Sequence, residues 1–260
     1  MTASPETLVA AVGRRPQLSV PVFGLGVLVA TLIGELLFAG GFLVEATLVH
    51  AGALLILVNL ALVDGPRTRL ASALTLVPTT RLLSLVAFVP TAPPSFAYLT
   101  VGVPLAAAAL YGLSRSPSRQ PIVGETRWRD MTLAFAGVPL GLLSYGLGVI
   151  PAEADQSLPI GLPILIAAIV VTAFAEEAIY RGLILSAAAE RYGSGIGIVL
   201  SAGLYATMHL GHLSVGAVVV ALIGAIVLGL VVVRRGALLP AIGAHVVWSI
   251  TAYGAYSFMG

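Results

Sequence analysis

Long, continuous apolar runs separated by short polar or Gly/Pro-containing breaks dominate the chain, and they predict helices. The segments are 18–40, 43–63, 70–90, 96–113, 131–150, 160–190, 195–211, 214–233 and 237–257. Most reach or approach the roughly 20 residues with which an α-helix crosses about 30 Å of hydrocarbon. Gly40-Gly41, Asp64-Gly65-Pro66, Pro93-Pro94, Pro151 and Gly193 separate most of them. Pro240 falls inside the last segment and is expected to kink it. Strands of a membrane barrel would alternate apolar and polar positions, which these runs do not. The expected fold class is therefore all-α, a polytopic transmembrane helical bundle of about eight or nine spans. Segment 70–90 is interrupted by Pro78 and Arg81, and were it re-entrant the parity of every later span would change.

Composition sharpens this picture. Of 260 residues, 58% are hydrophobic and 9% charged, against about a quarter charged in an ordinary soluble domain. Membrane lipids are the implied surroundings. Net charge is +2 and all 13 basic residues are arginines, so the basic balance reflects a few loop arginines and no nucleic-acid partner is expected. The absence of cysteine removes disulfides, thiolate metal sites and a cysteine nucleophile together. Arg14 and Arg15 precede an apolar run too long for a signal-peptide core, which reads as a retained first span.

With a cytoplasmic N-terminus, the alternation of nine spans places Arg14, Arg15, Arg67, Arg69, Arg115, Arg119, Arg127, Arg129, Arg191, Arg234 and Arg235 on the inner side. The opposite loops hold no arginine and include Glu153 and Asp155. Such one-sidedness is what the positive-inside rule expects. The stretch 114–130 is polar and Arg-rich, and it divides the chain into residues 1–130, N-terminal helices ending in a cytoplasmic loop, and residues 131–260, a functional core.

Within the predicted spans the ionisable residues are Glu35, Glu45, His50, Arg81, Glu176, Glu177, Arg181, His209 and His245. Each is costly in hydrocarbon and must face the bundle interior, a partner or water. Glu35, Glu45 and His50 read as interhelical hydrogen-bonding or interface residues, and Arg81 as paired with an acid or reaching a headgroup. The run Glu176-Glu177-Ala178-Ile179-Tyr180-Arg181 is denser. Glu177 and Arg181 stand at i,i+4 with the acid first, the favourable order for a pair on one helix face. Glu176 points about 100° away around the helix. One acid is then neutralised by its own helix and the other is not, unless both serve a single Arg-centred structural network. Counted from the cytoplasmic arginines, Glu176 lies about 22 Å inside Arg191 and His245 about 15 Å inside Arg235, with His209 about 21 Å beyond Gly195. Three spans thus carry a polar residue to similar depth. His212 sits nearer a span end and reads as a mouth or interface residue.

A carboxylate and an imidazole converging on water can activate it by general-base catalysis, and a second imidazole with a neighbouring hydroxyl can stabilise a tetrahedral oxyanion. Peptide-bond hydrolysis uses this set. The chain has no H-E-x-x-H and no G-x-S-x-G, and Asp64, Asp130 and Asp155 all fall in predicted loops. Glu176, His209 and His245 would also suit a His₂Glu zinc site.

The motifs resemble those of the CAAX-processing and bacteriocin-processing family of intramembrane glutamic proteases. Glu176-Glu177-x-x-x-Arg181 is similar to the family's E-E-x-x-x-R, Tyr205-x-x-x-His209 to F-x-x-x-H, and His245-x-x-x-Ser249 to H-x-x-x-N/D, in the same order over roughly 165–257. The resemblance implies an endopeptidase without a cofactor, in which Glu176 and His209 activate water, His245 and Ser249 form the oxyanion hole, and Glu177, Arg181 and Tyr205 support them. It implies a peptide or lipidated-protein substrate, since eukaryotic relatives remove the last three residues of prenylated proteins and prokaryotic ones are linked to bacteriocin maturation or self-immunity. Ser249 departs from the motif, because a hydroxyl is shorter than the amide or carboxyl it replaces, and Tyr205 keeps the ring and gains a hydroxyl. A non-catalytic immunity or regulatory protein on the same scaffold and a proton-coupled transporter are the rival readings.

Overall fold

The computed structural model describes residues 20–63, 65–87, 94–115, 128–149 and 162–259. They form an all-α bundle, with no strand among the described residues. The helices are α1 (Val20–Ala39), α2 (Leu43–Val63), α3 (Gly65–Ala87), α4 (Pro94–Arg115), α5 (Gly137–Gly146, entered through a 3₁₀ segment, Trp128–Ala136), α6 (Leu162–Tyr192), α7 (Ser194–Thr207), α8 (Val215–Arg235) and α9 (Leu239–Met259). Each corresponds to one predicted segment. By length and composition, Leu43–Leu62, Thr68–Ala87, Leu162–Tyr192 and Val215–Arg235 are long and apolar enough to cross a membrane.

The exterior is that of a chain solvated by lipid. Val44, Leu62, Val86 and Val199 are 70–83% exposed, while Glu35, Glu177 and Arg181 are fully buried. In hydrocarbon the apolar side chains gain nothing by moving inward, whereas the polar ones must find partners inside the bundle. Helix α6 runs through the middle and packs against α4, α7, α8 and α9. Small residues permit the closest approach elsewhere: Gly137 and Gly141, four apart on α5, lie against the backbone of α9, where a Cβ on Gly141 would come 2.5 Å from Thr251. That is the small-xxx-small packing favoured between membrane helices.

Several expectations change in detail. Helix α3 passes through Pro78 and Arg81 without a break. Pro240 does not kink the last helix, because α9 begins at Leu239 and the proline occupies its first turn, where a missing N–H and a fixed φ cost nothing. Helix α7 ends at Thr207, so His209 lies past its C-terminus, in a turn that continues as a 3₁₀ segment, Leu210–His212. Arg69 pairs with Glu190, and Arg235 with Asp130 at 3.1 Å, so the start of α3 meets the end of α6, and the end of α8 meets the segment before α5. Arg14, Arg15, Asp64, Arg119, Arg127, Pro151, Glu153 and Asp155 lie outside the described residues.

Candidate active site

The acidic pair sits where α6 changes its winding. From Leu162 to Glu177 the helix is α, and from Ala178 to Leu185 it is π before returning to α. A π segment widens the turn and leaves backbone groups to be satisfied from outside, and such segments recur at functional sites. Ser201 of α7 supplies one partner, donating its hydroxyl to the Tyr180 carbonyl at 2.7 Å.

The two carboxylates face different surroundings. Glu177 is fully buried, with Oε1 3.1 Å from Arg181 Nη1 and 2.8 Å from His245 Nδ1. Arg181 is buried with it and lays its guanidinium over the Tyr205 ring, 4.7 Å from the centroid. Glu176 is 30% exposed and turns into a cavity of about 430 Å³. Its Oε2 accepts the Tyr205 hydroxyl at 2.9 Å and lies 3.7 Å from His245 Nε2.

The chemistry of the partners fixes both imidazoles. A carboxylate and a carbonyl can only accept, so His245 Nδ1 must carry a hydrogen toward Glu177, and His209 Nδ1 one toward the Tyr205 carbonyl at 2.9 Å. In each neutral ring Nε2 is then the acceptor nitrogen. His245 stacks at 5.3 Å on Trp248, whose indole N–H donates to Ser144 at 2.7 Å. Tyr205 stands between the two histidines, 4.7 Å from the His209 ring and 6.3 Å from that of His245.

Glu176, Tyr205, His209, His245 and Ser249 all line this same cavity. Ser249 follows His245 by one turn of α9. Glu177 and Arg181 stay behind the wall. The side chain of His212 lies outside the described ones. Among the described residues no group of three or more His, Asp or Glu side chains is arranged to hold a metal ion.

Sequence reasoning missed three contacts. The Glu177–His245 bond spans 68 positions, and no local spacing announces it. Trp248 gave a weak signal, sitting three residues after His245 on one helix face. The Tyr205 hydroxyl was noted as an addition, but its landing on Glu176 depends on how α7 packs beside the π segment. No curated protein and no solved structure matches the chain. Residues 158–251 match the family model described as type II CAAX prenyl endopeptidase Rce1-like, and this is the stretch that brings Glu176, Tyr205, His209, His245 and Ser249 to the cavity.

Proposed function

We propose that this integral membrane protein is an intramembrane endopeptidase of the CAAX-protease type, using Glu176 as the general base toward water. The observation that carries the reading is the partly exposed Glu176 carboxylate, set in a cavity inside an apolar bundle with Tyr205 O–H at 2.9 Å and His245 Nε2 at 3.7 Å. A water in that cavity gives a proton to Glu176 as its oxygen bonds to the scissile carbonyl carbon. The proton then passes to the leaving nitrogen as the C–N bond breaks, yielding an acid and an amine.

The imidazoles divide the remaining work. Glu177 holds Nδ1 of His245, so Nε2 is the nitrogen that serves the cavity. In its imidazolium form His245 keeps Nδ1–H on Glu177 and donates Nε2–H, together with the hydroxyl of Ser249 one turn later, to the developing oxyanion. His209, whose ring is held by the Tyr205 carbonyl, flanks the water with Glu176. The reaction needs no metal in this scheme. The substrate is a peptide or lipidated protein that enters from the bilayer. The N-terminus is on the cytoplasmic side, a reading supported by the Arg69–Glu190 and Arg235–Asp130 pairs, which gather arginine-bearing helix ends together.

The test uses purified full-length protein with a library of quenched peptides, with and without a prenylated cysteine, and mass mapping of the products. Cleavage by the parent protein and none by Glu176→Gln is the expected result. Equal cleavage by both, or by neither, overturns the assignment and favours an immunity or regulatory role on this scaffold.

A further inference from the structure

A second buried ion pair lies outside the matched residues and outside the cavity, and none of the chemistry above uses it. Glu35 of α1 is fully buried and receives both arms of Arg81 from α3, Nε at 2.7 Å on Oε1 and Nη2 on Oε2. His50 of α2 closes on the same carboxylate, its Nε2 3.4 Å from Oε1, and the guanidinium rests over the Phe38 ring at 4.5 Å. So far this is a polar lock between three helices.

Arg81 has a further bond that a simple lock does not need. Its Nη2 also donates to the backbone carbonyl of Met208 at 3.0 Å. Met208 caps the C-terminus of α7 and immediately precedes His209. Carbonyls of a last helical turn lack intrahelical partners, and they form the negative end of the helix dipole, which a cation complements. The turn lies directly on the Arg81–Phe38 stack: a Cβ on Gly211 would meet Phe38 at 2.9 Å and Arg81 Nη2 at 3.3 Å. Leu213, with φ of 53°, then turns the chain away toward α8. The His209 backbone N–H bonds the Ala206 carbonyl at 3.1 Å. The peptide joining 208 to 209 is therefore held on its oxygen side by Arg81 and on its nitrogen side by α7.

We propose that Arg81, anchored by Glu35, is a positioning residue for His209, so that the N-terminal helices set the geometry of one wall of the cavity. Arg81 touches no reacting atom. It fixes the peptide plane from which the His209 ring projects, and the Tyr205 carbonyl fixes the ring itself. The inference rests on the placement of His209 in the active site, and its first readout does not need turnover.

The experiment compares the full-length parent with Arg81→Lys and with the double variant Glu35→Gln/Arg81→Gln, which removes both charges and leaves neither orphaned. Diethylpyrocarbonate modification of each histidine is followed by mass spectrometry, beside melting temperature, kcat and KM. Expected in the double variant is a change of about threefold or more in the His209 rate with that of His245 unchanged. Expected with it is a fall in kcat of up to about a hundredfold at near-constant KM, as a misplacement of about 1 Å can cause. Arg81→Lys keeps a charge for Glu35 but loses the fork, and falls between. An unchanged His209 rate, or His209 and His245 rates that move together, overturns the proposal. If the parent cleaves no peptide, the endopeptidase reading fails while the His209 labelling still decides this one.

Discussion

Replacing Glu177 with Gln removes a carboxylate that serves two buried partners, and the consequences separate it from its neighbour. Arg181 is fully enclosed, and among the described residues its Nε, Nη1 and Nη2 make no hydrogen bond beyond the ion pair with Glu177 and the face of Tyr205. Breaking one side of such a pair costs about 3–5 kcal/mol. For a chain of this size, each kcal/mol lowers the melting temperature by about 2–4 °C, so the expected loss is roughly 6–20 °C. Activity falls as well, because an uncharged amide oxygen is a weaker acceptor than the carboxylate that holds the His245 ring at 2.8 Å. Glu176→Gln is the contrasting change. Its carboxylate is partly exposed in the cavity, and an amide oxygen can still accept the Tyr205 hydroxyl, so the melting temperature should stay near the parent's while turnover drops by about 10²–10⁴-fold with loss of the proposed general base. Arg181→Gln follows Glu177→Gln in stability but keeps the His245 anchor, so it retains more turnover. The assay is melting of the three detergent-solubilised variants beside peptide cleavage. Equal destabilisation of all three, with no selective loss of turnover at Glu176, would refute the division of labour and leave a structural network in its place.

Ser249→Ala removes one candidate oxyanion donor and should lower kcat by up to about 10²-fold at unchanged melting temperature, and identical turnover in a peptide assay would remove Ser249 from the site. Chelators should leave the rate unchanged, and activity lost on chelation and restored by zinc alone, with stoichiometric zinc in elemental analysis, would replace the proposed chemistry by a metal mechanism. Single cysteines at Ser118 and Ser157, in a chain that has none of its own, should react with an impermeant thiol reagent from opposite faces of sealed vesicles. Labelling from the same face would break the topology.

How much of this was legible in the sequence depended on how local the determinant was. The run 43–63 is predominantly apolar between Gly41 and Asp64 despite Glu45 and His50, and α2 occupies Leu43–Val63. Arg181 could be assigned to Glu177 because four residues of helix bring them together, and the pair survives the change to π winding. His209 was read as helical because apolar residues continue through Leu210, yet α7 stops at Thr207, and the Met208 carbonyl in the turn that follows is bonded by Arg81 from a helix more than a hundred residues earlier. Arg81 was expected to find an acid or a headgroup. That the acid is Glu35 follows only from the packing of α1, α2 and α3. The π segment was not legible either, because nothing in the spacing of Ala178–Leu185, with Arg181 and Gly182 among apolar residues, distinguishes π from α winding.

The stack of Trp248 on His245 also gives the protein an optical reporter. The chain has two tryptophans, Trp128 and Trp248, and Trp248 lines the cavity. Its indole contacts the imidazole on one side and donates to Ser144 at its nitrogen, so displacement of cavity water by a peptide changes both the quencher and the polarity around the ring. With Trp128 replaced by Phe, the emission of a single indole would follow occupancy of the cavity without a label. In a Glu176→Gln background the same signal would report binding with turnover suppressed, so that affinity and catalysis could be read separately from one protein in one membrane.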